Sequence, residues 1–111
     1  MRESINLMDY RKITAIIRRE AVDRVAKNLK EIGVTGMTIT KVEGYGRHAD
    51  LYAVGKMAPS AKIEIFTTRE RVREISNVIM GIAHTGHAGD GIVAVQPVEE
   101  LYRIQTRSSA D

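Results

Sequence analysis

The chain has 111 residues, with 17 lysines and arginines against 14 aspartates and glutamates, and no cysteine. That is enough for one domain with a single modest core, and it excludes disulfides and thiolate metal sites. A hydrophobic fraction of 43% is ordinary for a soluble globular protein.

No stretch approaches the roughly 18 consecutive apolar residues of a membrane span, and Met1-Arg2-Glu3-Ser4 lacks the apolar core of a secretory signal. A cytoplasmic protein without membrane insertion is therefore expected. The formal charge of +3 and a pI near 9.4 invite a nucleic-acid partner. Yet Arg18-Arg19 adjoins Glu20, and the basic run at residues 69–73 contains Glu70 and adjoins Glu74. Such interleaving is the pattern of solvated helix faces, so no nucleic acid is expected.

In chain order, residues 1–10 form a short lead-in without a pattern. Residues 12–18 (KITAIIR) alternate Ile13, Ala15 and Ile17 against Thr14, Ile16 and Arg18, which predicts a strand with one strongly apolar face. Over residues 20–32 the period changes. Val22, Val25, Ala26, Leu29 and Ile32 recur at threes and fours, a helix with one buried stripe, and Gly33 stands where a left-handed C-cap belongs. Residues 36–42 (GMTITKV) alternate and are rich in β-branched side chains, giving a second strand that Gly44-Tyr45-Gly46 interrupts. Residues 44–59 mix Gly, Ala, His, Asp and Pro with no period, and so long a connection in so small a domain predicts a functional loop. Residues 62–66 (KIEIF) form a third strand with Ile63 and Ile65 inward. Thr67 and Glu70 are spaced as a capping box, opening a second helix through Val72, Ile75, Val78, Ile79 and Ile82 that ends near His84. A glycine turn at residues 84–91 leads into a strand at 92–95 broken by Pro97, and a C-terminal segment, 101–111, holds a short extended piece at 101–106.

The order βαββαβ predicts one α+β domain, 1–111: a ferredoxin-like sandwich whose antiparallel sheet carries two helices on one face. The other face would display Thr14, Ile16, Thr38, Val42, Glu64 and Phe66. That surface is too apolar to stay wet, which argues for self-association.

The turn at residues 85–91 (TGHAGDG) places three glycines in six positions. Glycine lets the backbone turn tightly and approach a bound group, and a concave run of amides suits phosphate. The order matches neither the dinucleotide fingerprint nor a P-loop, so by itself it fits both a phosphate site and a plain helix-to-strand turn. Catalytic chemistry finds little to use. His48, His84 and His87 are the only histidines; His84 and His87 lack a third metal ligand, and no serine sits on a nucleophile elbow. No catalytic residue and no metal site are expected. An RNA-recognition module would need stacking aromatics on its central strands, where only Phe66 lies. What remains is a small-molecule sensor in which the glycine turn, Arg47 and Arg103 supply amide and guanidinium donors to one phosphate chain, provided the ends of their elements meet.

Several dispersed motifs resemble the PII signal-transduction family. They are Thr85-Gly86-x-x-Gly89-Asp90-Gly91 with Val98-Glu99 and Arg103-Ile104-x-Thr106; Gly33-Val34-Thr35-Gly36-Met37-Thr38; Gly44-Tyr45-Gly46-Arg47; Leu51-Tyr52; and Lys62-Ile63-Glu64-Ile65. The resemblance implies a homotrimer with adenine-nucleotide sites (ADP, AMP or ATP) in the clefts between subunits. It also implies no catalysis, no catalytic cofactor, and a T-loop region, residues 44–60, that touches a target such as a transporter or metabolic enzyme. It puts Thr38 and the backbone at Phe66 against the adenine. Gly89, Asp90, Gly91, Arg47 and Arg103 fall near the phosphates, with Gly46, Thr85 and Gly86 in the same site.

The chain also departs from the family pattern. His48 replaces a glutamine that helps hold Mg-ATP and 2-oxoglutarate, and Ser60 replaces the lysine that pairs with 2-oxoglutarate. Ile92 and Gln105 replace basic residues, and the loop from Arg47 to Pro59 is shortened. Tyr52 matches a loop-base tyrosine, so covalent modification is not carried over. A hydrogen bond to a charged group contributes roughly 1.5–3 kcal/mol, so the missing cations should weaken phosphate binding, most of all at ATP's terminal phosphate. The expectation is that ADP or AMP binds at least as well as ATP. Arg47, His48 and Ser60 would then meet a small anion such as bicarbonate in place of 2-oxoglutarate. The alternatives are a conventional nitrogen-regulatory PII protein binding Mg-ATP and 2-oxoglutarate and, more remotely, a small ferredoxin-like enzyme.

Overall fold

The computed structural model describes residues 5–44 and 58–111. Its elements run β1 (Tyr10–Arg18), α1 (Val22–Glu31), β2 (Thr38–Gly44), β3 (Ala58–Thr68), α2 (Val72–Ala83), β4 (Gly91–Val98), β5 (Tyr102–Arg103) and β6 (Ser108–Ser109). The first four strands form one sheet in the order β2-β3-β1-β4, antiparallel at each pairing. This is the ferredoxin-like α+β fold that the alternating periods imply.

The register explains the core. Ile13 pairs with Ile65 and Val95, and Ala15 pairs with Ile63 and Val93, so a single face of the sheet is apolar across three strands. Both helices cover that face. Val25 and Leu29 of α1 and Ile75 and Ile79 of α2 join Ile13, Ile17, Ile63 and Ile65 in one cluster, each no more than 1% exposed. Burying one such side chain contributes about 1.5–3 kcal/mol. The amphipathic stripes read from the sequence are therefore the ones that hold the helices down.

α1 ends as its glycine requires. Gly33 has φ +90; its N–H donates to the Lys30 carbonyl at 3.0 Å, and the Val34 N–H reaches back to Leu29 at 3.0 Å. This is the Schellman arrangement, with buried Val34 packed in the same cluster as Leu29.

Four expectations are corrected. The capping box does not form. β3 continues through Thr68, which makes no side-chain cap, and the Arg69 N–H is taken by the Asp9 carbonyl at 2.8 Å, so a long-range backbone partner replaces the local one. β4 is not broken at Pro97 but runs through to Val98, with Pro97 opposite Arg11. As an edge strand it has alternate N–H groups facing away from its one neighbour, where a missing donor forfeits no ladder bond. The extended piece at 101–106 is instead the first limb of a small hairpin, Tyr102 pairing with Ser109 and Arg103 with Ser108. The lead-in is also tethered, since Asn6 bonds Leu101 and Ser109.

On the uncovered face, Thr14, Ile16, Val42 and Glu64 are half-buried, whereas Thr38 and Phe66 are exposed, Phe66 by 52%. Among the described residues no helix is long and apolar enough to cross a membrane.

Two glycines make opposite demands. At Gly91, φ is +116 and a Cβ would lie 1.9 Å from the Ile16 carbonyl oxygen, whereas Gly81 in α2 has nothing within 4 Å. Gly81→Ala is expected to stabilise the fold by about 0.5–1 kcal/mol, while Gly91→Ala pries β4 from β1 and lowers the denaturation midpoint sharply. Urea titration of the two variants checks this, and equal midpoints would contradict it.

Candidate functional site

After α2 ends at Ala83, His84 is extended (φ −65, ψ 128) and the chain turns through Thr85 and Gly86, where φ is +94. The turn closes on a carboxylate of its own. Asp90 accepts hydrogen bonds from the Thr85 N–H at 2.6 Å, the Gly86 N–H at 2.8 Å and the Thr85 hydroxyl, and it lies 3.4 Å from the Arg18 guanidinium. The Thr85 hydroxyl and amide, then the Gly86 amide and Arg18, hold the Asp90 carboxyl down at about 2 against the opposing effect of desolvation. Two amides of the glycine turn are thus occupied by the turn's own acid, which fixes its shape. Gly89 is buried, and Gly91 opens β4 opposite Ile17.

Two arginines that the sequence presents as solvated charges are structural members of this end of the molecule. Arg18 spans Asp90 and Glu20, each at 3.4 Å, with its Nε buried and unpartnered. Arg19 donates to the Ser60 carbonyl at 3.2 Å and the Val42 carbonyl at 3.0 Å, tying together the ends of β3 and β2. Ser60, an expected effector contact, is 3% exposed. It lies opposite Arg18, at the glycine-turn end of the sheet.

A second group of expected residues gathers elsewhere. Thr38, Phe66 and Arg103 line one cleft of about 660 Å³, with Glu64, Tyr102 and Tyr10 on its walls. Glu64 accepts from Lys12 at 2.6 Å and lies 3.9 Å from Lys62; the Lys12 hydrogen bond foremost keeps its carboxyl below the usual range. An exposed phenyl ring, a threonine and a guanidinium around one opening suit a planar heterocycle joined to an anion.

The two groups occupy opposite edges of the sheet. The cleft lies against β2 and the end of β3, whereas the turn feeds β4. Three strand spacings of about 4.8 Å separate those edges, and the two groups also lie at opposite ends of the strands, with Phe66 opposite Lys12 and Gly91 opposite Ile17. Within one chain, then, Thr38, Phe66 and Arg103 come together, as do Thr85, Gly86, Gly89, Asp90 and Gly91, with Ser60 at the same end of the sheet but on β3, and the two sets do not meet. Gly46, Arg47 and His48 lie outside the described residues. His84 and His87 flank the turn without a metal set; among the described residues no three His, Cys, Asp or Glu side chains are grouped to hold an ion. Sequence reasoning missed Arg18, Arg19 and Tyr10, and no periodicity marks them, because their partners lie far along the chain.

Fold and site define a ferredoxin-like α+β domain with a ligand-sized cleft at one sheet edge and a carboxylate-locked glycine turn at the other. The family model for nitrogen regulatory protein P-II matches residues 10–108. The chain is 41% identical over 103 residues to a nitrogen regulatory protein P-II of Pasteurella multocida, covering 86% of this chain and 92% of that one. It is 40% identical, with the same coverage, to one of Azospirillum brasilense. The crystal structure of Arabidopsis thaliana PII bound to citrate superposes with a TM-score of 0.78 at 29% identity, covering 92% of this chain and 86% of that one. The chain belongs to the PII family of nitrogen regulatory, signal-transducing proteins.

The depressed Asp90 carboxyl gives a signed pH dependence. Its ionised form stabilises the fold above the unfolded value of 3.8, and that contribution is lost as pH falls through about 2. Asp90→Asn, which removes the charge and sets an amide donor against two N–H groups, is expected to melt below the parent at neutral pH. The gap should close between about pH 5 and pH 2. Thermal melts across that range check this; a gap independent of pH would contradict it.

Proposed function

We propose that this chain is a cytoplasmic, non-catalytic PII-type sensor of adenine nucleotides that acts as a homotrimer and regulates a partner transporter or enzyme through residues 44–60. The observation that carries the reading is the separation of the two half-sites. A cleft holding Thr38, Phe66 and Arg103 is suited to a base and an anion, and the glycine turn stands on the other edge, at the opposite end of the strands. A second copy that sets its β4 edge against the β2 edge of the first would bring both to one ligand, for which Gly46 and Arg47 are further proposed contacts. The half-apolar sheet face supports such an assembly.

The nucleotide preference follows from the cations that are missing. Ile92 stands beside the turn and Gln105 in the C-terminal hairpin, so a terminal phosphate has fewer partners and ADP or AMP binds at least as well as ATP. For the effector, Arg47 and His48 with a buried Ser60 lack the lysine that a dicarboxylate would pair with, which favours a small anion, bicarbonate, over 2-oxoglutarate. That the Arabidopsis relative was solved with citrate supports an anion-responsive fold. A second reading, a conventional nitrogen-regulatory protein binding Mg-ATP and 2-oxoglutarate, is favoured by the names of the relatives at about 40% identity.

Calorimetry separates the two. ADP or AMP is expected to bind at least as tightly as ATP, bicarbonate but not 2-oxoglutarate is expected to change that affinity, and Arg103→Ala is expected to weaken ADP about ten- to hundredfold. ATP binding about tenfold tighter than ADP, or tight 2-oxoglutarate binding with Mg-ATP, would return the chain to the conventional reading.

A further inference from the structure

Arg103 lines the cleft from a hairpin that cannot hold itself in place. β5 and β6 are two residues each, residues 102–107 are all exposed, and Ile104 at the tip is 94% exposed. Arg107 turns the chain with φ +53, a conformation that is uncommon without glycine. An isolated two-stranded hairpin is marginal in water even when longer than this, so its position must be set from outside.

Outside contacts grip it at its feet. The Asn6 carboxamide donates to the Leu101 carbonyl at 2.8 Å and to the Ser109 hydroxyl at 2.6 Å, and it accepts from the Leu101 N–H at 2.7 Å. One side chain therefore grips the chain before β5 and inside β6, where the Ala110 N–H also closes on the Leu101 carbonyl at 3.0 Å. From the other direction, Asp111 accepts from the Leu7 N–H, from the Met8 N–H at 3.2 Å and from the Tyr10 hydroxyl. Tyr10 is 7% exposed, is held in β1 between β3 and β4, and shares the cleft wall with Arg103. The strap thus runs from the rigid sheet through Tyr10 and Asp111 to residues 6–8, and from Asn6 to both limbs of the hairpin.

We propose that Asn6, anchored through Asp111 and Tyr10, is a positioning residue for the cleft: it fixes the hairpin so that Arg103 is preorganised to meet the anionic part of a nucleotide. Asn6, Ser109 and Asp111 all lie outside the 10–108 span that the family model matches. Preorganisation raises affinity by removing the ordering cost of the guanidinium before the ligand arrives. The inference rests on the reading of this cleft as a nucleotide site.

The test uses the full chain and two readouts. In Asn6→Ala, amide hydrogen exchange at residues 101–110 is expected to accelerate while the amides of β1 and β3 keep their protection, and ADP affinity is expected to fall about tenfold. In an Arg103→Ala background the same substitution should change ADP affinity less than about twofold, because the strap acts through that guanidinium. Ser109→Ala, which loosens the same foot, should follow the same pattern if Asn6→Ala folds poorly. Unchanged exchange in the hairpin, or an equal loss of affinity with and without Arg103, would overturn the proposal. If the parent protein binds no adenine nucleotide, the nucleotide reading fails, and the hairpin exchange alone decides whether the strap exists.

Discussion

β1 is the constraint to which the rest of the molecule is referred. It lies between β3 and β4, its odd-numbered residues carry the core, and its two neighbours lead outward to different halves of the candidate site. Moving its register by one residue would send Ile13, Ala15 and Ile17 to the other face and expose the helices' stripes. Gly91 enforces that register from the β4 side, because the approach to the Ile16 carbonyl leaves no room for a side chain. The same pairing that closes the core therefore also sets where the glycine turn ends.

From that arrangement comes the division of the candidate site. At the β4 edge, Asp90 locks the turn from within, and Arg18 neutralises it from the end of β1. The turn is then a finished object before any ligand arrives, with its shape fixed by an internal acid. At the β2 edge, the cleft is more loosely assembled. Thr38 and Phe66 sit on strands, but Arg103 sits on a hairpin whose position depends on Asn6 and Asp111. One half of the site is rigid through local bonds and the other through contacts between the two ends of the described chain.

Sequence reasoning reached the first level of this and stopped at the second. The sheet, both helices and the Gly33 cap were legible because periods of two and near four are imposed directly by burial. The glycine turn was legible because so few residues tolerate its backbone. The capping box was a misreading: Thr67 and Glu70 have the spacing, but the Arg69 N–H finds Asp9 instead. Pro97 looked like a strand end because nothing in the local sequence says that β4 is an edge. The roles of Arg18, Arg19, Asn6 and Asp111 were not legible, since each depends on a partner from 23 to more than a hundred residues away for which no local pattern exists. The resemblance to the PII family carried the remaining distance, and the comparisons bear it out at the level of the family.

The central claim is that neither edge is a nucleotide site alone and that a second copy completes it. Subunit mixing tests this directly. Arg103→Ala disables the cleft edge, and Ala88→Glu, at an exposed position of the turn, sets a negative charge against phosphate at the other. Each variant alone should bind ADP at least about tenfold more weakly than the parent. After the two are unfolded together and refolded as a mixture, about one site in four should join an intact cleft to an intact turn and bind ADP with the parent affinity. A mixture that binds no better than its two components would contradict the account.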